Sequence, residues 1–126
     1  MSAQGRGHLI NVVSMAGKLP IPGMAVYNAS KFGALGLSLA LREEYAPRGV
    51  SVSAVLPAVV RTELAAGVPH AGLPTVDPEV VARAVVDTVR SRVAQRAVPR
   101  YLIGWDLVAA LAPDLGAVVK AYLIGH

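Results

Sequence analysis

The chain has 126 residues and a formal net charge of +4; 54% of its residues are hydrophobic and 16% are charged. Soluble domains average roughly 45–50% apolar and roughly 25% charged residues, so this composition excludes intrinsic disorder and predicts one domain. The absence of cysteine excludes disulfide frameworks and cysteine-ligated metal sites. So much apolar material in a small chain is unusual and requires an explanation.

The apolar composition does not predict a membrane span. A spanning helix requires about 20 residues almost free of charge. The apolar segment 102–124 is interrupted by Asp106, Pro113, Asp114 and Lys120. The N-terminal residues lack the apolar core of a signal peptide. We therefore expect a cytoplasmic protein with no membrane span.

The positive charge raises the question of nucleic acid binding. Its main support is a group of arginines in the second half of the chain: Arg83, Arg90, Arg92, Arg96 and Arg100. On a helix, Arg83 and Arg90 share one face, whereas Arg92 and Arg96 point the opposite way. Aromatic residues, which a single-strand platform requires, do not interleave them. A solvated helix surface is favoured, and we expect no nucleic acid partner.

The first half of the chain predicts a strand, a loop, a helix and a second strand. Residues 8–13 form a short β-branched apolar run, typical of a parallel strand buried on both faces. Residues 15–24 are rich in Gly and Pro and predict a loop, and a helical pattern follows over residues 25–45. Residues 50–56 predict the second strand, which ends at Pro57.

The second half continues the alternation of strands and helices. Residues 61–76 predict a loop with a short helix near 62–66, and the Asp77-Pro78 pair predicts a helix start. We expect that helix to run to about residue 95, followed by a third strand over residues 97–103 and a helical tail over 105–124. The whole pattern predicts an α/β fold with a parallel sheet.

Polar residues follow two predicted strands and begin one helix. Tyr27 and Lys31 are four residues apart and therefore share a helix face. Ser14 follows the first strand, and the segment from Pro57 to Thr62 follows the second. Active sites of open α/β sheets gather at the carboxyl ends of strands, so we expect these residues to converge. Singly, each also fits a structural role: a turn cap, a packed ring, a solvated lysine or a strand terminator.

Three segments resemble successive motifs of the classical short-chain dehydrogenase/reductase family, in order and in spacing: Ile10-Asn-Val-Val-Ser14, Tyr27-Asn-Ala-Ser-Lys31 and Leu56-Pro-Ala-Val-Val-Arg-Thr62. The resemblance covers nearly the whole chain. It implies a Rossmann-like doubly wound parallel sheet, of which this chain holds the C-terminal portion, with about three strands and three to four helices in a single partial domain. It also implies NAD(P)-dependent interconversion of an alcohol and a ketone by hydride transfer.

The resemblance implies that Tyr27 is the general acid/base, that Lys31 activates it and binds the ribose, and that Ser14 orients the substrate. An ordinary phenol has a pKa of about 10 and is a poor base at neutral pH, so a neighbouring ammonium group that stabilises the phenolate suits this role. By the same resemblance, the cofactor-binding residues are Tyr27, Lys31, Pro57, Val60 and Thr62. Ala58 departs from the family pattern, which usually has glycine there.

The family's glycine-rich phosphate-binding turn, which links a strand to a helix, has no counterpart in this sequence. The Gly5-Arg-Gly7 segment precedes a strand, which is the reverse order. We therefore expect the chain to be a truncated, C-terminal half of a dehydrogenase that is inactive by itself. A core divided in this way would also explain the apolar composition, and it predicts aggregation or pairing of the isolated chain.

The substrate side of the site is predicted to be apolar. Loops 15–24 and 63–76 would flank it, and they carry Leu19, Ile21, Met24, Leu64, Val68 and Leu73. These residues favour a small apolar alcohol or ketone as substrate. His70 is expected to be an exposed loop residue, and no metal site is predicted.

Two other functions remain open at this point. The chain could be a non-catalytic fragment that pairs through its small-residue helix surface around Gly33 and Gly36 or through an exposed sheet edge. It could also belong to a related epimerase or dehydratase, although the position of Ser14 and the segment from Pro57 to Thr62 argue against this. The complete protein is expected to be a homo-oligomer.

Overall fold

The computed structural model describes residues 1–67 and 73–104, together with residues 107 and 111. Val68, His70 and most of the predicted tail helix lie outside the described residues. The helices and strands in chain order are β1 (Gly7–Val12), α1 (Ala25–Tyr45), β2 (Val50–Pro57), β3 (Val59–Val60), β4 (Thr75–Val76), α2 (Pro78–Ser91) and β5 (Gln95–Val98).

Among the described residues, the main sheet contains three parallel strands in the order β1-β2-β5. Its register pairs Gly7 with Val50 and Ala54 with Gln95. Every residue of the central strand β2 except Ser51 is buried. The prediction of an α/β fold with a parallel sheet is confirmed.

Of the helices that the structure describes, one lies on each face of this sheet. Leu35 of α1 packs with Ala54 and Leu56 on one face. On the other face, Val85 of α2 packs against a cluster that contains Val55. Side chains alternate between the two sides of a strand, so β2 contributes to both clusters. This arrangement has the layers of a doubly wound fold.

The first helix has the bounds that the sequence predicts. It begins at Ala25, after the Gly- and Pro-rich loop, and ends at Tyr45. A short 3-10 turn then leads to Gly49, whose φ of 76° lies in the left-handed region that glycine adopts without a Cβ penalty. The chain enters β2 directly afterwards.

The environment of β1 differs from the prediction of a strand buried on both faces. It is an edge strand of the described sheet, and its Leu9 and Val12 side chains are 38% and 54% exposed. That prediction was wrong for this chain, because the described elements that pack on the two faces of the sheet leave these two side chains partly uncovered. Apolar residues on both faces thus remain in contact with solvent.

Boundaries in the second half also differ from the prediction. Helix α2 ends at Ser91 rather than near residue 95, because Arg92 adopts a left-handed φ of 54°. The last strand is β5 rather than residues 97–103. Pro99 follows it, has no N–H to donate to a strand, and leads into a 3-10 turn. The short helix predicted near Thr62 is present as a 3-10 turn, Glu63–Ala65.

The sequence patterns missed the small parallel pair β3–β4. These strands have two residues each, with Val59 N–H donating to the Pro74 carbonyl and Arg61 N–H donating to the Val76 carbonyl. Within the part of the chain that the structure describes, no helix is both long and apolar enough to cross a bilayer.

Candidate active site

A cavity of about 340 Å³ lies where β1 and β2 end. Ser14, Tyr27, Pro57, Val60 and Thr62 all line it. Residues from three separate segments thus converge at the carboxyl edge of the sheet, where ligands bind in open α/β folds.

Ser14 lies two residues beyond β1 and caps the 3-10 turn Met15–Gly17. Its Oγ accepts a hydrogen bond from the Ala16 N–H at 3.0 Å. Ser14 therefore caps this turn, as it would if its role were purely structural. A serine hydroxyl that accepts one bond can still donate its own hydrogen, so capping leaves Ser14 able to donate to a carbonyl oxygen in the cavity.

Tyr27 and Lys31 lie on the first two turns of α1. The Lys31 Nζ is 5.5 Å from the centroid of the Tyr27 ring. The Tyr27 side chain is 41% exposed and Lys31 is half-buried. The ammonium group therefore lies over the phenol ring, one helical turn further along α1.

The opposite side of the cavity is built by the chain that follows β2. Pro57 ends that strand, and the buried Ala58 donates its N–H to the Val98 carbonyl at 2.8 Å. The short-chain dehydrogenase/reductase family, which this chain resembles, usually has glycine at the position of Ala58. Alanine fits there without backbone strain, because Arg92 is the only non-glycine residue with positive φ in the described chain. Thr62 accepts a bond from the Ala65 N–H at its Oγ1 and is exposed.

The rest of the described lining is apolar and consists of Val12, Val13, Ile21, Met24, Ala58, Val59, Ala65 and Leu73. Three loop residues predicted for the substrate side, Ile21, Met24 and Leu73, are among them. Leu19 instead packs against the core cluster beneath α1. Leu64 has no described side chain. The described lining contains no charged side chain.

Asn28 is a residue that the sequence patterns missed. It follows Tyr27, is 9% exposed, and forms three side-chain hydrogen bonds to the loop after Ser14. The available signal was an amide side chain on the apolar side of a helix, beside a loop that contains two prolines.

The described acidic and imidazole side chains form no cluster at this cavity. Among the residues that the structure describes, no group of three or more His, Asp or Glu side chains lies close enough to hold a metal ion.

Comparison with known proteins identifies relatives of this chain. The family described as short chain dehydrogenase matches residues 1–71. A 3-oxoacyl-(acyl-carrier-protein) reductase of Synechocystis is 41% identical over 64 residues, and an acetoacetyl-CoA reductase of Rhizobium meliloti is 36% identical over 97 residues. A short chain dehydrogenase from Burkholderia cenocepacia, solved in complex with NADP, superposes with a TM-score of 0.72 at 28% identity.

These relatives are longer than this chain. The matched regions cover 51% and 68% of this chain, but only 26% and 40% of the two reductases. The Burkholderia structure aligns with 95% of this chain and 50% of its own length. The chain thus spans half or less of the length of each relative.

Proposed function

Because the chain belongs to the short-chain dehydrogenase family, we propose that it forms the catalytic and substrate-binding half of an NAD(P)-dependent oxidoreductase that interconverts an alcohol and a ketone. One observation carries this proposal. Ser14 and Tyr27 line one cavity at the carboxyl ends of β1 and β2, and the Lys31 Nζ lies 5.5 Å from the Tyr27 ring.

Tyr27 is the proposed general acid/base. In the direction of reduction, its O–H donates a proton to the ketone oxygen as that oxygen gains negative charge; in oxidation, the phenolate removes the alcohol proton. Lys31 stabilises the phenolate through its positive charge one helical turn away.

Ser14 is the proposed orienting group. Its Oγ already accepts the Ala16 N–H, so the hydroxyl is oriented before substrate arrives, and its hydrogen can be donated to the substrate oxygen. Two donors, Ser14 and Tyr27, would then hold one oxygen atom. This positioning lowers the entropic cost of the reaction.

The residues after β2 fit the nicotinamide end of the cofactor. Pro57 and Val60 present apolar surface to the cavity, and the exposed Thr62 adds a hydroxyl beside it. A flat, partly polar ring suits such a lining, and Lys31 would bind the adjoining ribose. When bound, the nicotinamide supplies or takes up the hydride. The relative solved with NADP supports a dinucleotide of this class and leaves the choice between NAD and NADP open.

The proposed substrate is a ketone or alcohol with an apolar body. Ile21, Met24 and Leu73 face the cavity, and the described lining carries no charge. The described lining offers no cationic partner to an anionic group beside the reacting carbon, which disfavours such a substrate. The two reductases named above act on 3-oxoacyl and acetoacetyl groups, which supports a carbonyl substrate.

The 126-residue chain by itself is expected to bind the cofactor weakly. The proposed cofactor contacts come from the nicotinamide end, and the chain spans half of the NADP-bound relative. Calorimetric titration of the isolated chain with NAD(H) and NADP(H) tests this expectation. Micromolar affinity for any of them would contradict it.

The proposed function is tested by substituting Tyr27→Phe in the protein expressed from its complete reading frame. Removing the phenol oxygen removes the acid/base, so turnover of an apolar ketone should fall by about 10²–10⁴-fold. Tyr45→Phe is the matched control, because Tyr45 ends the same helix and stacks with Arg48 instead. Wild-type turnover in Tyr27→Phe would overturn the proposal.

A second candidate function is pairing without catalysis. Helix α1 exposes apolar side chains: Val26 is 85%, Phe32 is 47% and Leu37 is 58% exposed. Gly33 and Gly36 lie on exposed positions of the same helix and would allow close approach of a partner. Turnover and light-scattering mass, measured for wild-type and Tyr27→Phe protein, together separate the two functions. Loss of turnover with an unchanged mass supports the enzyme.

A further inference from the structure

The loop that follows Ser14 has an unusual problem in backbone hydrogen bonding. Pro20 and Pro22 have no N–H groups, and the first turn of this loop is buried. Buried backbone carbonyl and N–H groups must find partners inside the protein. In this loop, several of these partners come from one side chain of α1.

That side chain is Asn28. Its Oδ1 accepts the Ile21 N–H at 2.8 Å, and its Nδ2 donates to the carbonyls of Ala16 at 2.8 Å and Leu19 at 2.7 Å. An amide has two N–H donors, and both are used here. Asn28 is 9% exposed, so these bonds are shielded from competing water.

These bonds connect the two proposed catalytic residues. Ala16 donates its N–H to the Ser14 Oγ and accepts the Asn28 Nδ2 at its carbonyl. Asn28 is the residue after Tyr27 on α1. Two hydrogen bonds through Ala16 therefore link the Ser14 hydroxyl to the helical turn that carries the phenol.

The third bond reaches the apolar wall of the cavity. Ile21 lines the cavity, and its N–H is held by the Asn28 Oδ1. The same amide thus holds the Ser14 turn on one side and the Ile21 wall on the other, and both are held relative to Tyr27.

We propose that Asn28 is a positioning residue that sets the distance from the Ser14 hydroxyl and the Ile21 wall to the Tyr27 phenol. This inference rests on the proposed function for its catalytic consequence, since Asn28 contacts the loop rather than the reacting atoms. Displacement of a catalytic group by about 1 Å can cost about 100-fold in rate, so loss of the amide should appear in turnover.

The test uses Asn28→Ala and Asn28→Asp in the protein expressed from its complete reading frame. Asn28→Ala removes all three bonds, and kcat should fall by about 10- to 100-fold while KM for the cofactor is unchanged. Asn28→Asp keeps the shape and the acceptor for Ile21 but directs a carboxylate oxygen at two carbonyls. Asn28→Asp should lower kcat at least as much as Asn28→Ala. Because aspartate has nearly the same shape as asparagine, this variant tests the same role if Asn28→Ala folds poorly.

Ser38→Ala is the matched control for general destabilisation. Ser38 lies on the same helix, is 1% exposed, and links α1 to β1 by accepting the Asn11 Nδ2 at 2.9 Å. It is ten residues from Asn28, about 15 Å along the helix axis. Ser38→Ala should lower the unfolding temperature and leave kcat unchanged.

Hydrogen exchange gives a readout without activity. In the 126-residue chain, Asn28→Ala should speed exchange of the Ile21 amide, whereas Ser38→Ala should not. Wild-type kcat in both Asn28 variants, with turnover lost in Tyr27→Phe, would overturn the positioning role and leave the proposed function intact. Wild-type turnover in Tyr27→Phe would overturn the proposed function, and the exchange rates would still decide whether Asn28 holds the loop.

Discussion

The two walls of the cavity are built in different ways. The Ser14 wall, residues 14–28, has a buried first turn that is bonded to α1 by Asn28. The Thr62 wall, residues 57–65, begins at the buried end of β2 and continues through the two-residue strand β3 and a 3-10 turn that starts at the exposed Glu63. Arg61 and Asp77 brace this second wall by an ion pair of 3.3 Å whose side chains are 66% and 56% exposed.

This difference corresponds to the roles that we propose for the walls. Groups that orient a reacting oxygen must be held before substrate binds, and burial with complete hydrogen bonding holds them. A wall that admits cofactor and substrate gains its remaining contacts from the ligand. Stability is thus concentrated where positions matter for the chemistry.

Among the substitutions that compare the two walls, truncation of Met15 should have the largest effect on the free energy of unfolding. Met15 is fully buried in the Ser14 wall, so Met15→Ala leaves a cavity and should lower the free energy of unfolding by about 2–5 kcal/mol. Leu37→Ala, at a 58% exposed position of α1, should change it by less than about 0.5 kcal/mol. Urea denaturation measures both. If Met15→Ala and Leu37→Ala lowered the free energy of unfolding equally, Met15 would not be tightly packed in the Ser14 wall.

Gly17 tests the close approach of the Ser14 turn to α1. A Cβ at this position would lie 3.0 Å from the Lys31 carbonyl oxygen and 3.4 Å from the Leu35 Cβ. Gly17→Ala should therefore push the turn away from the helix and cost about 1–3 kcal/mol. Gly33→Ala is the control, because its added methyl would meet no atom within 4 Å. A Gly17 variant as stable as the Gly33 variant would contradict the close packing.

Acid should weaken the sheet that supports both walls. Burial lowers the pKa of His8 from its usual 6.5, and the nearby Arg92 and Arg42 guanidinium groups lower it further, whereas the Val89 backbone partly opposes this. The His8 Nε2 also lies 2.8 Å from the Ser53 Oγ.

Because the unfolded chain then takes up the proton more readily than the folded chain, the contribution of neutral His8 is complete above pH 6.5 and is lost as the pH falls below it. Urea denaturation between about pH 5 and about pH 8 should show this loss in wild type. His8→Gln should flatten the profile. An unchanged slope would contradict the assignment.

The smallest effect on the free energy of unfolding is expected for the Arg61–Asp77 ion pair of the Thr62 wall. Arg61 pairs with Asp77 and its Nη2 donates to the Thr75 Oγ1 at 3.3 Å, all at the surface. Exposed ion pairs contribute about 0–1 kcal/mol, so Arg61→Gln should leave the free energy of unfolding nearly unchanged. Thermal unfolding in low and high salt checks this. A loss as large as that of Met15→Ala would show that the two walls are equally integral to the fold.

Local patterns predicted the elements whose ends are set by local chemistry. Helix α1 begins after a loop with two prolines and ends before a glycine, and its bounds are as predicted. The predicted end of α2 lies about four residues beyond the observed one at Ser91. The helix ends through the left-handed conformation of Arg92, which no local sequence signal indicates. The pair β3–β4 was missed, because two-residue strands carry no periodicity and exist only through pairing with a distant segment.

For the candidate site, the spacing of Ser14, Tyr27 and Lys31 and the position of Thr62 could be read directly. Spacing along a helix and the carboxyl ends of parallel strands are local or topological properties, so the sequence alone predicted that Ser14, Tyr27 and Thr62 would converge, and all three line the cavity. It also determined the apolar excess, which appears in the structure as the exposed Leu9 and Val12 of β1.

The contacts that hold these residues in place became visible only in the folded chain. The role of Asn28 depends on three backbone groups of a loop up to twelve residues away, and the sequence does not indicate which three groups its amide binds. The edge position of β1 depends on which strands are available to pair. Both are long-range properties, since hydrogen bonding and burial are satisfied by the folded chain as a whole and not by any one segment of it.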